Sequence, residues 1–256
     1  MQAARRLHRR VVREREQLFL LEGPVVLAEA VQAGVELTDV FVDVETFADA
    51  ELLEACAAAG AFVSEVGDNV LRALAATTTP QGVVAMARTP SFTLDRLPDE
   101  ADLVLVLAQV RDPGNAGTLV RTAAAAGIAC VVFTKGSTDP FGAKTVRASA
   151  GSIFQVPIAR STELEDALER LAQLGYMTVG TRADAPEVVY DVDLSGKVAI
   201  VVGNEAWGFG DSELPIARWA SIPINDRVES LNVATAGAVI LFEAVRQRRL
   251  SSARHG

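Results

Sequence analysis

The chain has 256 residues, half of them apolar and only 5% aromatic. That is enough for one large domain or two modest ones, with a core built from Ala, Val, Leu and Ile. The formal net charge of −9 argues against a non-specific polyanion binder, though not against a local basic patch.

Taken in chain order, the first sixteen residues carry Arg5, Arg6, Arg9, Arg10, Arg13 and Arg15 against Glu14 and Glu16. This basic run reads either as a solvated amphipathic face or as a phosphate-contacting helix. It has no apolar core before a cleavage site, so no secretory signal is expected here. A helix is expected over about 3–20, then a helix from the Gly-Pro at 23–24 to Gly34. An alternating strand (37–43), a helix ending at Gly60, a strand (61–66), a short helix (67–77) and a strand ending at Arg88 follow. Residues 1–90 thus form an alternating α/β unit able to close its own core. Residues 91–102 read as a linker, within a stretch (89–102) that carries two prolines and four acids and has no periodicity. From 103 to 256, strands are expected at 103–108, 129–133, 176–179, 198–202 and 220–222. Helices are expected at 118–126, 163–174 and 233–247. Near-continuous apolar strands alternating with helices predict a parallel sheet covered on both faces, an α/β fold.

Cys56 and Cys130 have no Cys or His at ligand spacing, which argues against a metal site. His8 and His255 lie at the chain ends, so a central site must work without a histidine base. No apolar run is long enough to span a bilayer, and a cytoplasmic protein without a membrane partner is expected.

The stretch "QVRDPGNAGTLVRTAAAAG" (109–127) follows a buried strand. It lacks the third glycine of a dinucleotide fingerprint, and the next strand ends without the expected acid. It also lacks the Gly-Lys-Ser/Thr of a Walker loop. What remains is Asn115, expected at a helix N-cap, and Arg121. Downstream, "VAIVVGNEAWGFGDSEL" (198–214) ends a buried strand in Gly203, Asn204 and Glu205, where open α/β sheets place ligands. In "IPINDRVESLNVATAGAVILFEAVRQR" (222–248), Ser230 and Asn232 precede a helix so rich in small residues that it must pack closely.

Together these three stretches resemble the motifs of the SpoU/TrmH branch of the SPOUT methyltransferases, in order and across the whole second domain. "DPFGAKTVRASAGSIFQVPI" (139–158) is similar to a segment common in ribosomal-RNA members. The first domain is similar to an L30e-like RNA-binding module. The sequence departs from the family pattern at Ala206 and Ala234. The resemblance implies a deep trefoil knot, a rare exception to un-knotted topology, and a homodimer through the C-terminal helix. It implies S-adenosylmethionine as cofactor, held by backbone groups at Gly203, Ile222 and Leu231, with Gly180 lining the same pocket. It places Asn115, Arg121, Glu205, Ser230 and Asn232 at catalytic and substrate-side positions.

The implied reaction is methyl transfer to a ribose 2′-hydroxyl of RNA, with 23S ribosomal RNA expected. A transfer-RNA 2′-O-methyltransferase is the alternative within the class, and a non-catalytic RNA-binding or ribosome-assembly factor the alternative outside it. The hydroxyl needs a proton acceptor or a stabiliser for its developing charge. Without an internal histidine, Arg121 is the candidate, as stabiliser or as base. Within this frame Arg5, Arg6, Arg9, Arg10 and Arg13 read as phosphate contacts, continued by Lys144, Arg147 and Arg160. Arg246, Arg248 and Arg249 extend that track or cap the last helix.

Overall fold

The computed structural model describes residues 1–160, 163–203 and 214–255. The chain divides into two compact units, one of residues 1–90 with 139–155, the other of residues 91–138 with 156–256.

The first unit begins with α1 (Gln2–Arg6) and α2 (Arg10–Glu16). The helix expected to reach residue 20 stops four residues early. Gln17 adopts the left-handed conformation, φ 52°, and 18–22 become the strand β1 (Leu18–Glu22). The physical reason is two-sided burial, which suits a continuous apolar strand better than a helix stripe. Leu20 joins Ala4, Leu7, Val12, Leu71 and Leu74 in one cluster. Phe19 meets Phe141 and Phe154, at ring-centroid distances of 5.0 and 6.3 Å. Then follow α3 (Pro24–Gln32), β2 (Leu37–Val42), α4 (Ala50–Ala58), β3 (Phe62–Glu65), α5 (Asp68–Leu74) and β4 (Val83–Arg88). The sheet order is β1-β4-β2-β3. β4 runs antiparallel to both β1 and β2, and β3 parallel to β2.

Residues 139–155, assigned from sequence to the second domain, pack in the first unit. They supply Phe141 and Phe154 to the Phe19 cluster. Arg13 donates from Nε and Nη2 to one oxygen of Asp139 at 2.8 and 2.6 Å. Its Nη1 reaches the carbonyls of Leu7 and His8. The two charged side chains are only 11% and 10% exposed.

In the second unit 91–102 is no free linker. Phe92 bridges to Ala159, a 3₁₀ turn covers Leu94–Arg96, and Phe92, Leu94 and Leu97 pack on the core. The elements are β5 (Leu103–Leu107), α6 (Pro113–Ala126), β6 (Cys130–Phe133), β7 (Ile158–Arg160), α8 (Leu164–Gln173), β8 (Met177–Thr181), β9 (Glu187–Val188), β10 (Val198–Val202), β11 (Arg218–Ser221) and α9 (Val233–His255). The helix α7 (Ala143–Ala148), between β6 and β7 in sequence, belongs to the first unit. The sheet order is β7-β6-β5-β10-β8-β11-β9, with every pairing parallel. β5 and β10 are buried at every position, as their apolar runs require. Cys130 lies in this core as a free thiol, and burial pushes its pKa up to about 12.

The small residues of α9 meet α6. A Cβ on Gly237 would stand 2.3 Å from Leu119 Cδ2, so glycine sets the separation of the two helices.

Candidate active site

β5 is followed in sequence by β6 on one side, while its other neighbour in the sheet is β10. Open parallel sheets bind ligands outside the carboxyl ends of the strands at such a reversal. Several segments of the second unit converge there. α6 starts behind Asp112, whose carboxylate accepts from the Asn115 N–H at 2.8 Å, with Pro113 at the first helical position. The N-cap is therefore Asp112, and Asn115 is the third residue of the helix, with its carboxamide directed to a tertiary bond. Asn232 donates from Nδ2 to Asn115 Oδ1 at 3.0 Å. The Asn232 Oδ1 also accepts from the N–H groups of Ala234 and Thr235, which caps α9. One side chain thus satisfies a helix end and ties the starts of α6 and α9 together.

Beside this pair lies a cavity of about 310 Å³, near the lower end of small-molecule sites, roughly 300–1,000 Å³. Its walls come from the end of β8 and the turn beyond it (Thr181 to Asp184), from Gly203 after β10, from Ile222 and Ile224 after β11, and from Ser230, Leu231, Val233 and Ala236. Gly203, Ile222, Leu231 and Ser230, singled out from sequence, therefore meet around one space. Gly180 does not line it. A Cβ there would come within 2.6 Å of the Trp219 ring and 2.9 Å of Ile216, so its lack of a side chain lets Trp219 lie across the neighbouring strand.

Sequence reasoning did not single out Arg182 and Asp184. Arg182 stacks over Trp219 at 5.0 Å and pairs with Asp184 at 3.1 Å. Together they give one wall of the cavity both signs of charge. The available signal was their position, immediately after a buried strand at its carboxyl end.

Arg121 stands apart from Asn115. Six residues of helix advance about 9 Å and turn about 240°, and Arg121 falls on the exposed face of α6. It has no hydrogen-bond or ion-pair partner among the described residues. Glu205, with Asn204 and Ala206, lies outside the described residues, as does any pairing of Glu205 with Arg121.

In the first unit Arg5, Arg6, Arg9 and Lys144 are exposed. Arg10 pairs with Glu14 at 2.8 Å and Arg147 with Glu22 at 3.3 Å. Arg13 differs from its neighbours, being largely buried on Asp139. In the second unit Arg246 pairs with Glu243, and Arg248 reaches Asp102 and the Gly196 carbonyl. Arg160 and Arg249 are exposed.

The profile of the SpoU rRNA Methylase family matches residues 102–242, more than half of the chain and all of the cavity-forming segments. The chain belongs to that family. Residues 1–85 match the profile of an MRM3-like substrate binding domain.

Among curated relatives, the chain is 30% identical over 239 residues to the Bacillus subtilis 23S rRNA (guanosine(2553)-2'-O)-methyltransferase RlmP, covering 93% of this chain and 92% of that protein. Among solved structures it is similar to the SpoU methyltransferase AviRb from Streptomyces viridochromogenes in complex with AdoMet. The TM-score there is 0.88 and the identity 28%, covering 97% of both chains. An AdoMet-bound rRNA methyltransferase from Sinorhizobium meliloti matches with TM-score 0.83 and 32% identity, covering 96% of this chain and 93% of that one.

Proposed function

We propose that the protein methylates a ribose 2′-hydroxyl of 23S ribosomal RNA, using S-adenosylmethionine, in the cytoplasm. The observation that carries this is the cavity where Gly203, Ile222, Ser230 and Leu231 meet beside the Asn115–Asn232 bond. The cavity suits a nucleoside-sized cofactor. It is mostly apolar, it is lined by Gly203, Ile222 and Leu231, and it carries the Arg182–Asp184 pair for polar ends. When bound, S-adenosylmethionine supplies an electrophilic methyl group on a sulfonium.

The protein's own task is to hold the hydroxyl in line and to stabilise the charge that grows on its oxygen. The carboxamides of Asn115 and Asn232 and the Ser230 hydroxyl orient the ribose, and Glu205 completes the polar set. Arg121 supplies positive charge. A guanidinium resists deprotonation, so the electrostatic role is assigned to it. Its place on the exposed face of α6 requires the RNA or a second subunit to cover it. The chain forms a homodimer through α9, whose surface carries Phe242 and Leu250, both 49% exposed. The catalytic domain contains the deep trefoil knot. The first unit is the L30e-like module, and Arg5, Arg6, Arg9, Arg10, Lys144 and Arg147 contact phosphates.

Mapping 2′-O-methyl groups in ribosomal RNA from cells with and without this protein tests the assignment. One ribosomal nucleotide should lose its methyl group in the deletion strain and regain it with the wild-type gene. Arg121→Ala should fail to restore it, since loss of one charge-stabilising donor costs about 10²–10³-fold. An unchanged ribosomal map together with a lost transfer-RNA methyl group would overturn the substrate.

A further inference from the structure

At the carboxyl end of the central strand β5 one residue departs from ordinary backbone geometry. Gln109 has φ +56°. A non-glycine side chain there is strained, and such strain persists where the surroundings over-determine it, often at functional sites. The surroundings here do so. The Gln109 N–H donates to Thr134 Oγ1 at 3.3 Å. Thr134 Oγ1 and Ser137 Oγ both donate to the Leu107 carbonyl at 3.0 Å, and both residues are buried. On the other side the Ala108 N–H donates to the Val202 carbonyl at 2.9 Å. The strand end is locked, yet the Gln109 side chain is exposed.

Room has been left for that side chain. Gly136, at φ +86°, lies beneath it, and a Cβ there would stand 3.2 Å from Gln109 Cγ. The Ala108 N–H bonds the Val202 carbonyl, so Gln109 follows directly on the residue that holds the strand end from which Gly203 reaches the cavity. Three residues further on Asp112 caps α6 and so sets Asn115 in place. A neutral carboxamide, carrying a donor and an acceptor side by side, is thus mounted over Gly136 on a locked strand end that adjoins the segments bearing Gly203 and Asn115.

We propose that Gln109 is a specificity-determining residue that hydrogen-bonds the base of the nucleotide being methylated. This rests on the RNA methyltransferase reading above. A carboxamide pairs with a base edge that offers a donor beside an acceptor, as the N–H and C=O of guanine or uracil do. A carboxamide can also meet phosphate or sugar, but only a base edge takes its donor and its acceptor together.

Gln109→Gly and Gln109→Glu separate this from a packing role. Glycine relieves the left-handed strain, and glutamate keeps size and shape while removing the donor. The assay is transfer of tritiated methyl groups to ribosomal RNA isolated from cells lacking this protein, alongside calorimetry with S-adenosylmethionine and thermal melting. Both variants should bind S-adenosylmethionine within about twofold of wild type, and Gln109→Gly should melt no lower than wild type. Both should lose roughly five- to a hundredfold in kcat/KM for RNA, the range of one bidentate pairing with a base. If kcat/KM stays within twofold in both, Gln109 only packs on Gly136 and the proposal fails. A wild-type protein that transfers no methyl group to this RNA overturns the parent reading instead, which separates the two failures.

Discussion

Asp139→Ala should act on stability through a single buried ion pair. Its carboxylate takes two N–H groups of Arg13 at 2.8 and 2.6 Å, and its second oxygen accepts from the Phe141 N–H at 3.0 Å. The two side chains are about nine-tenths covered. Removing one partner leaves the guanidinium desolvated and unpaired, at a cost of about 3–5 kcal/mol. At about 2–4 °C per kcal/mol for a chain of this size, the loss is at least about 6 °C in Tm. Arg13→Ala should cost a similar amount. A double-mutant cycle over Arg13 and Asp139 should return a coupling above about 1 kcal/mol. The same variants separate a structural role from RNA binding. If Arg13 held a phosphate, Asp139→Ala would leave stability intact, and Arg13→Ala would reduce the salt slope of RNA binding. A loss below about 1 kcal/mol in urea denaturation of Asp139→Ala refutes the burial reasoning.

Charge reversal at Arg5, Arg6 and Arg9 should weaken RNA binding and lower the salt slope by about 0.9 for each phosphate that is no longer neutralised. Point changes serve better than truncation, because Ala4, Leu7 and Val12 belong to the core of the first unit, and a shift assay from low to high salt reads the effect. Gly237→Ala should destabilise the second unit by about 1–3 kcal/mol through overpacking against Leu119, and the double variant with Leu119→Ala should cost less than the sum of the two single changes, read by chemical denaturation. Glu243, only 7% exposed, is held below the usual carboxylate range by its hydrogen bonds to Arg246, opposed by burial and aided by Gln247. Its stabilising contribution is therefore complete above the ordinary glutamate pKa and vanishes as pH falls through the depressed one. Glu243→Gln should flatten the acid limb of a stability–pH curve and leave the limb above pH 7 unchanged.

Legibility in the sequence differs between elements. The parallel sheet of the second unit can be read from runs such as 103–108 and 198–202, because strands buried on both faces need continuous apolar sequence. The same rule fails to stand out at 18–22. There an apolar run continues directly from a helical pattern, and periodicity alone does not separate a short buried strand from the end of a helix. Asn115 reads as a cap although the cap lies three positions earlier, because Asp112 offers the same chemistry and only the geometry shows which residue the helix end uses.

Composition and local pattern by themselves determined the α/β class, the absence of an internal histidine base, and the stretches that carry Asn115, Gly203 and Ser230. Those features depend on the backbone preferences and hydrophobic period of neighbouring residues. The tertiary structure decided what depends on interactions across long separations. It paired Asn115 with Asn232 across 117 residues and gathered 181–184, 203, 222–224 and 230–236 around one cavity. It also moved 139–155 into the first unit and turned Arg13 from a surface cation into half of a buried pair. No local sequence signal encodes such pairings, because they exist only once the chain has brought distant segments together.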